Sequence, residues 1–150
     1  MKLFITSDHN GVLLVNHIYN ELKNTYDIEK VDLPNDPLDD YPVFSFKLGK
    51  LINENPGSMG IILCGTGIGV SIACNKVKGI RCARVSNLND AEMSRLHNNC
   101  NVIALGSNYT KNEALNIVKK FIETECLNEE RHIRRIKQII DYENGEYNEL

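Results

Sequence analysis

Paired cysteines, long apolar runs and an excess of positive charge are all missing from this 150-residue chain. Its five cysteines, Cys64, Cys74, Cys82, Cys100 and Cys126, are odd in number and show no CxxC spacing. A disulfide scaffold and a zinc ribbon are thereby disfavoured, and a reducing, cytoplasmic setting is expected. No stretch approaches the roughly 18 apolar residues that a membrane span needs. The first apolar stretch, interrupted by Asp8, is too short to read as a secretory signal. With 17 Lys+Arg against 20 Asp+Glu and a net charge of −3, general nucleic-acid binding is disfavoured as well. Internal repeats, low-complexity tracts and linkers are absent from the sequence. What is present is an ordinary charged fraction, 25 %, with 42 % hydrophobic residues, which excludes general disorder. The length suits one domain with its own core.

Short β-branched runs alternate with longer amphipathic stretches. Strands are expected over 3–6, 28–33, 60–64, 80–85 and 101–105. Gly60-Ile61-Ile62-Leu63-Cys64 is apolar on successive residues, as a strand covered on both faces must be. Val12, Val15, Ile18, Tyr19 and Leu22 recur at helical spacing, and Phe44, Leu48, Leu51 and Ile52 mark a second helix closed by Pro56-Gly57. Further helices are expected around 68–76, 88–97, 111–124 and 130–142. A loop rich in Asp, Asn and Pro leads to Tyr41-Pro42. Parallel strands need crossovers, so this alternation predicts an α/β fold, a three-layer Rossmann-like sandwich of five parallel strands with helices on both faces. Residues 1–142 form the expected domain, and the polar tail 143–150 is expected to fray.

Ligands of such sheets sit beyond the carboxyl ends of the strands, which carry Ser7-Asp8-His9, Cys64-Gly65-Thr66-Gly67-Ile68-Gly69 and Gly106-Ser107-Asn108. Three alternate glycines before a helix let backbone N–H groups converge on an anion, helped by the helix end. A dinucleotide fingerprint, a Walker loop and a cysteine-phosphatase loop all fail: the sixth position after Cys64 is Val70, and Gly-Lys-Ser/Thr is absent. The loop therefore suits a smaller anion, or one that develops during a reaction. Cys64 stands at its edge, where a positive helix end favours the thiolate as nucleophile or base. The other four cysteines read as packing. Asp8 is open to two readings, a helix cap or a functional carboxylate. His97 closes a helix beside Asn98 and Asn99, and it is also a natural proton shuttle. His17 receives no role. Arg131 and Arg135, four apart on one helix face, either clasp a phosphate or make a solvated basic face. No local spacing supports a metal site.

Taken in order, Ser7-Asp8-His9-Asn10-Gly11, Asp40-Tyr41-Pro42, the segment from Gly60 through Cys64 to Gly69, Asn75-Lys76-Val77-Lys78-Gly79-Ile80-Arg81, His97-Asn98 and Arg131-His132 resemble the ribose-5-phosphate isomerase B family. That family also holds galactose-6-phosphate isomerase subunits, and the likeness runs from residue 1 to about residue 140. The resemblance implies aldose–ketose isomerisation of a sugar phosphate through an enediolate, without metal or organic cofactor. It implies Cys64 as the base, with Gly65, Thr66, Gly67, Ile68 and Gly69 holding the oxyanion and Thr66 moving a proton between oxygens. It further implies His97 for ring opening, Asp8 on sugar hydroxyls, and Tyr41 and Asn98 as substrate contacts. His9, Arg131 and Arg135 fall on phosphate positions. Members are dimers, sometimes tetramers, whose sites take residues from the neighbouring subunit, so a homodimer or homotetramer without nucleic-acid or membrane partners is expected.

The chain departs from the family pattern in places. Asn108 stands where an Arg phosphate contact is usual; one such charge-assisted bond contributes about 1.5–3 kcal/mol. Asn10 replaces a small residue, Asn99 an Asp, and Glu129-Glu130 a glycine pair. Ribose 5-phosphate and ribulose 5-phosphate are the expected substrates, with a six-carbon sugar phosphate as the alternative. A non-catalytic sugar-phosphate sensor is disfavoured, because sensing needs neither Cys64, Thr66 nor His97.

Overall fold

Strands and helices alternate through the computed structural model, which describes residues 1–34 and 39–149. The strands are β1 (Lys2–Ser7), β2 (Asp27–Lys30), β3 (Met59–Cys64), β4 (Cys82–Arg84) and β5 (Val102–Gly106). They make one sheet in the order β2-β1-β3-β5-β4, with every pairing parallel. After β1 the sheet grows in one direction and after β3 in the other. The crevice outside the carboxyl ends of β1 and β3 is thus the topological switch point.

Helices α1 (Val12–Leu22), α2 (Tyr41–Glu54), α3 (Ile68–Cys74), α4 (Leu88–Asn98), α5 (Lys111–Glu123) and α6 (Glu130–Glu143) complete the chain. Successive strand residues point to opposite faces, and the core divides accordingly. Leu3, Ile5, Ile61, Leu63, Ile103 and Leu105 meet Val15 and Ile18 of α1 and Val118 and Phe121 of α5. Phe4, Ile62, Cys64, Val102 and Ala104 meet Phe44 and Leu48 of α2 and Val70 and Cys74 of α3. The odd–even alternation places Cys64 on the α2/α3 side of the sheet.

The edge strands are shorter than their sequences predict. On β2 only Ile28 is buried; Val31 N–H still donates to the Ile5 carbonyl at 2.9 Å, after which Asp32 is drawn to Lys47 Nζ at 2.9 Å. At β4 the Asn75 side chain accepts from Cys82 N–H at 2.8 Å and donates to the Cys82 carbonyl at 2.9 Å. It stands in for a missing neighbour strand and confines the ladder to Cys82–Arg84. Helix α2 starts three residues earlier than expected, at Tyr41, with Pro42 in its first turn, a position where proline loses no helical bond. Part of the expected Asp/Asn/Pro loop, residues 35–38, lies outside the described residues. At the end of α4, Asn99 takes the left-handed conformation (φ 45°). Buried Arg95 donates to its side chain at 2.8 Å and to the Cys100 carbonyl at 2.6 Å.

Candidate active site

Cys64, the last residue of β3, is 5 % exposed. The chain then turns through Gly67 at φ 75°, and a Cβ there would lie 2.7 Å from the Leu105 carbonyl carbon. Only glycine allows this turn. Its result is that Gly67 N–H donates to Cys64 Sγ at 3.1 Å. Thr66 Oγ1 accepts from Ile68 N–H at 3.2 Å. The first-turn N–H groups of α3, at Gly69 and Val70, have no acceptor within the helix.

Other predicted residues gather at this rim. The Tyr41 ring lies against Gly69, whose hypothetical Cβ would be 2.7 Å from Tyr41 Cζ. Asp8 is buried; its N–H donates to the Leu63 carbonyl at 3.1 Å, which sets it beside the end of β3. Asp8 is not the cap of α1, whose N-cap is Gly11 without a side-chain bond. Its Oδ1 instead accepts from Asn10 N–H at 2.9 Å, a tight Asx turn that leaves His9 and Asn10 exposed. The Asn10 side chain lies over Gly65. Asn108 is exposed on the loop after β5, and Ser107 N–H ties that loop to the Gly65 carbonyl at 3.3 Å.

A second cluster forms at the opposite end of the sheet. Helix α4 runs back from the carboxyl rim for about 15 Å at 1.5 Å per residue, and His97 occupies its last turn. The His97 ring stacks on that of His132, with centroids 4.3 Å apart and planes within 9°. His132 is the only buried residue of α6, and its Nε2 has no hydrogen-bond partner among the described residues. Burial pushes the His132 pKa down, and His97, Arg131 and Arg135 push it the same way against Glu129. Arg131 Nε meets Glu129 Oε2 at 2.9 Å, while Arg135 projects from the same exposed face. The Asn98 carbonyl accepts from Arg81 Nε at 3.2 Å.

Within one chain, then, Asp8, His9, Tyr41, Cys64, Gly65, Thr66, Gly67, Ile68, Gly69 and Asn108 share one rim. His97, Asn98, Arg131 and Arg135 share the far end. Sequence reasoning did not single out His132, although it stands in the Arg131-His132 motif; its partner His97 is remote in sequence. Of the remaining thiols, Cys74, Cys82 and Cys100 are buried and Cys126 is half-buried. Cys82 is pushed well up by its hydrogen bond to Cys74 and by burial, and burial raises Cys100 to about 11. Among the described residues no group of three His, Cys, Asp or Glu is placed to hold a metal ion, and no helix is long and apolar enough to cross a membrane.

A wholly parallel sheet with a thiol and a glycine cradle at its switch point, and a separate histidine–arginine cluster, defines an α/β protein built to handle a small anionic substrate. The family model for Ribose/Galactose Isomerase matches residues 3–139, and the chain belongs to that family. It is 42 % identical over 147 residues to a probable ribose-5-phosphate isomerase B of Mycoplasma genitalium, covering 95 % of each chain. It is 40 % identical over 147 residues to ribose-5-phosphate isomerase B of Mycobacterium tuberculosis, covering 95 % of this chain and 90 % of that one. Among solved structures, the M. genitalium isomerase with bound ribulose-5-phosphate superposes with a TM-score of 0.89 at 39 % identity, covering 95 % and 96 % of the two chains. The Clostridium thermocellum ribose-5-phosphate isomerase B gives 0.89 at 37 % identity, covering 97 % and 99 %.

Proposed function

We propose that the chain interconverts ribose 5-phosphate and ribulose 5-phosphate through an enediolate, with Cys64 as the base. The observation that carries this reading is the buried thiol with a backbone N–H on its sulfur at 3.1 Å, beside an open glycine cradle. Similarity over nearly the whole chain to an isomerase holding ribulose-5-phosphate supports the substrate. The Cys64 thiolate takes the C2 proton of the open-chain aldose, and the electron pair moves onto the C1 carbonyl oxygen. N–H groups of Gly65, Thr66 and Gly69 stabilise that oxyanion, while the Ile68 N–H holds the Thr66 hydroxyl in place. The Thr66 hydroxyl passes the O2 proton to O1, and the Cys64 thiol returns its proton to C1, giving the ketose. His97 takes the C1 hydroxyl proton of the closed sugar and delivers one to the ring oxygen. Asp8 holds sugar hydroxyls, Tyr41 and Asn98 contact the sugar, and His9, Asn108, Arg131 and Arg135 receive the phosphate.

This assignment needs a second copy. His97, Asn98, Arg131 and Arg135 lie a helix length from their own Cys64, so the neighbour in a homodimer or homotetramer supplies them. Helix α6 fits that role, because Ile133, Ile139 and Tyr142 on it are 47 %, 49 % and 66 % exposed. Residues 1–142 are taken as the working unit, and free thiols suit a cytoplasmic protein.

The test is exchange of the sugar C2 proton with solvent. Cys64→Ala and Cys64→Ser are expected to abolish it in correctly folded protein; wild-type exchange in either variant rejects Cys64 as base. The uncharged Asn108 favours a second reading, a six-carbon sugar phosphate. Kinetics on a panel of pentose and hexose phosphates separate the two, and a strong hexose preference overturns the first.

A further inference from the structure

The peptide unit joining Thr66 to Gly67 is gripped at both ends. Its N–H donates to Cys64 Sγ at 3.1 Å, and its carbonyl accepts from Arg84 Nε at 3.2 Å. A trans peptide is planar with N–H and C=O directed oppositely, so fixing one direction fixes the other. Glycine at one flank leaves this plane easy to turn unless something holds it. Arg84 is the last residue of β4, and from the sheet edge it reaches over the end of β5 to the cradle. Its guanidinium is held a second time, Nη1 donating to Ser86 Oγ at 2.7 Å. Among the described residues no carboxylate forms an ion pair with it.

We propose that Arg84 is a positioning residue for Cys64: by holding the Thr66 carbonyl it keeps the Gly67 N–H aimed at the sulfur and strengthens it as a donor to the thiolate. The catalytic consequence rests on Cys64 being the base. Arg84 need touch no substrate, because it acts through one amide. A hydrogen-bond donor aimed at an anionic sulfur enlarges the thiolate fraction at neutral pH. Polarisation along hydrogen-bonded chains strengthens that donor further.

The experiment measures iodoacetamide alkylation of Cys64 against pH in the intact protein, resolving it from the other four thiols by peptide mass. Arg84→Met is expected to move the midpoint up by about half to one unit, slowing alkylation about three- to tenfold below it. Ser86→Ala, which loosens the guanidinium without removing charge, shifts it the same way by less. Arg84→Lys keeps the charge without the two-point hold and recovers only part of the loss. In parallel, kcat falls while KM changes little. Unchanged alkylation profiles in Arg84→Met and Ser86→Ala overturn the proposal, as does full recovery in Arg84→Lys with the whole effect erased by high salt. A shifted alkylation profile with unaltered isomerisation supports the positioning role and instead overturns Cys64 as the base.

Discussion

Two histidines that the sequence separates by 34 intervening positions sit face to face at the end of α4, and the pair carries a measurable pH signature. Burial and the nearby His97, Arg131 and Arg135 depress the His132 pKa, against the opposing pull of Glu129. The unfolded chain therefore holds a proton on this ring that the folded chain has already lost, between the lowered value and the ordinary value of about 6.5. The contribution to stability is complete above pH 6.5 and is lost as pH falls through the folded value. Melting temperature should decline from pH 7 towards pH 5, and His132→Asn should flatten part of that slope. An identical slope in the variant removes His132 from the account. Arg131 is similarly conditioned by its surroundings, because Glu129 sits on its guanidinium at 2.9 Å, and a phosphate bound there as proposed must displace that carboxylate.

At the scale of elements, the turn between β3 and α3 is the most constrained piece of the site. A side chain at residue 67 meets two obstacles, the left-handed φ of 75° and the Leu105–Gly106 backbone at 2.7–2.9 Å. Gly67→Ala is expected to destabilise the fold by about 1–3 kcal/mol and to cut isomerisation much further, since the same turn aims the N–H at Cys64. Denaturant midpoints and turnover compared on the folded variant check both halves. The glycines of this turn were legible in sequence because their chemistry is local, as were β1, β3 and β5, whose apolar runs admit no other burial. The edges were less legible. Whether β2 stops at Lys30 depends on Asp32 finding Lys47, and β4 is trimmed by a side chain of Asn75; both are tertiary events that periodicity does not encode. Arg84 read as one more strand residue because its partner, the Thr66 carbonyl, appears only once β3 and β5 are neighbours. Asp8 was legible as a residue of the carboxyl rim, but its Asx turn depends on the bend that follows.

For the molecule as a whole, a parallel sheet fixes which residues meet: strand ends collect on one rim, helix ends on the other. Cys64 and His97 belong to opposite rims by topology, since α4 must return to the amino end of β5 before that strand begins. No rearrangement short of unfolding the α4–β5 connection brings them together in one chain. A site that uses both is therefore built between chains, and a closed two-fold assembly builds two such sites at once. This has a quantitative consequence. Cys64→Ala alone and His97→Asn/Arg131→Gln alone are each expected to spoil both sites of the proposed homodimer. Mixed one to one and allowed to exchange subunits, half the dimers are hybrids, each with one intact site and one doubly damaged site. About a quarter of wild-type activity should reappear on mixing, at a rate set by subunit exchange and with the KM of the wild-type protein. Size measurement on the same samples shows whether the dimer forms. Dimers that exchange yet stay inactive would mean that each site draws its thiol and its histidine from the same chain, and would overturn the shared site.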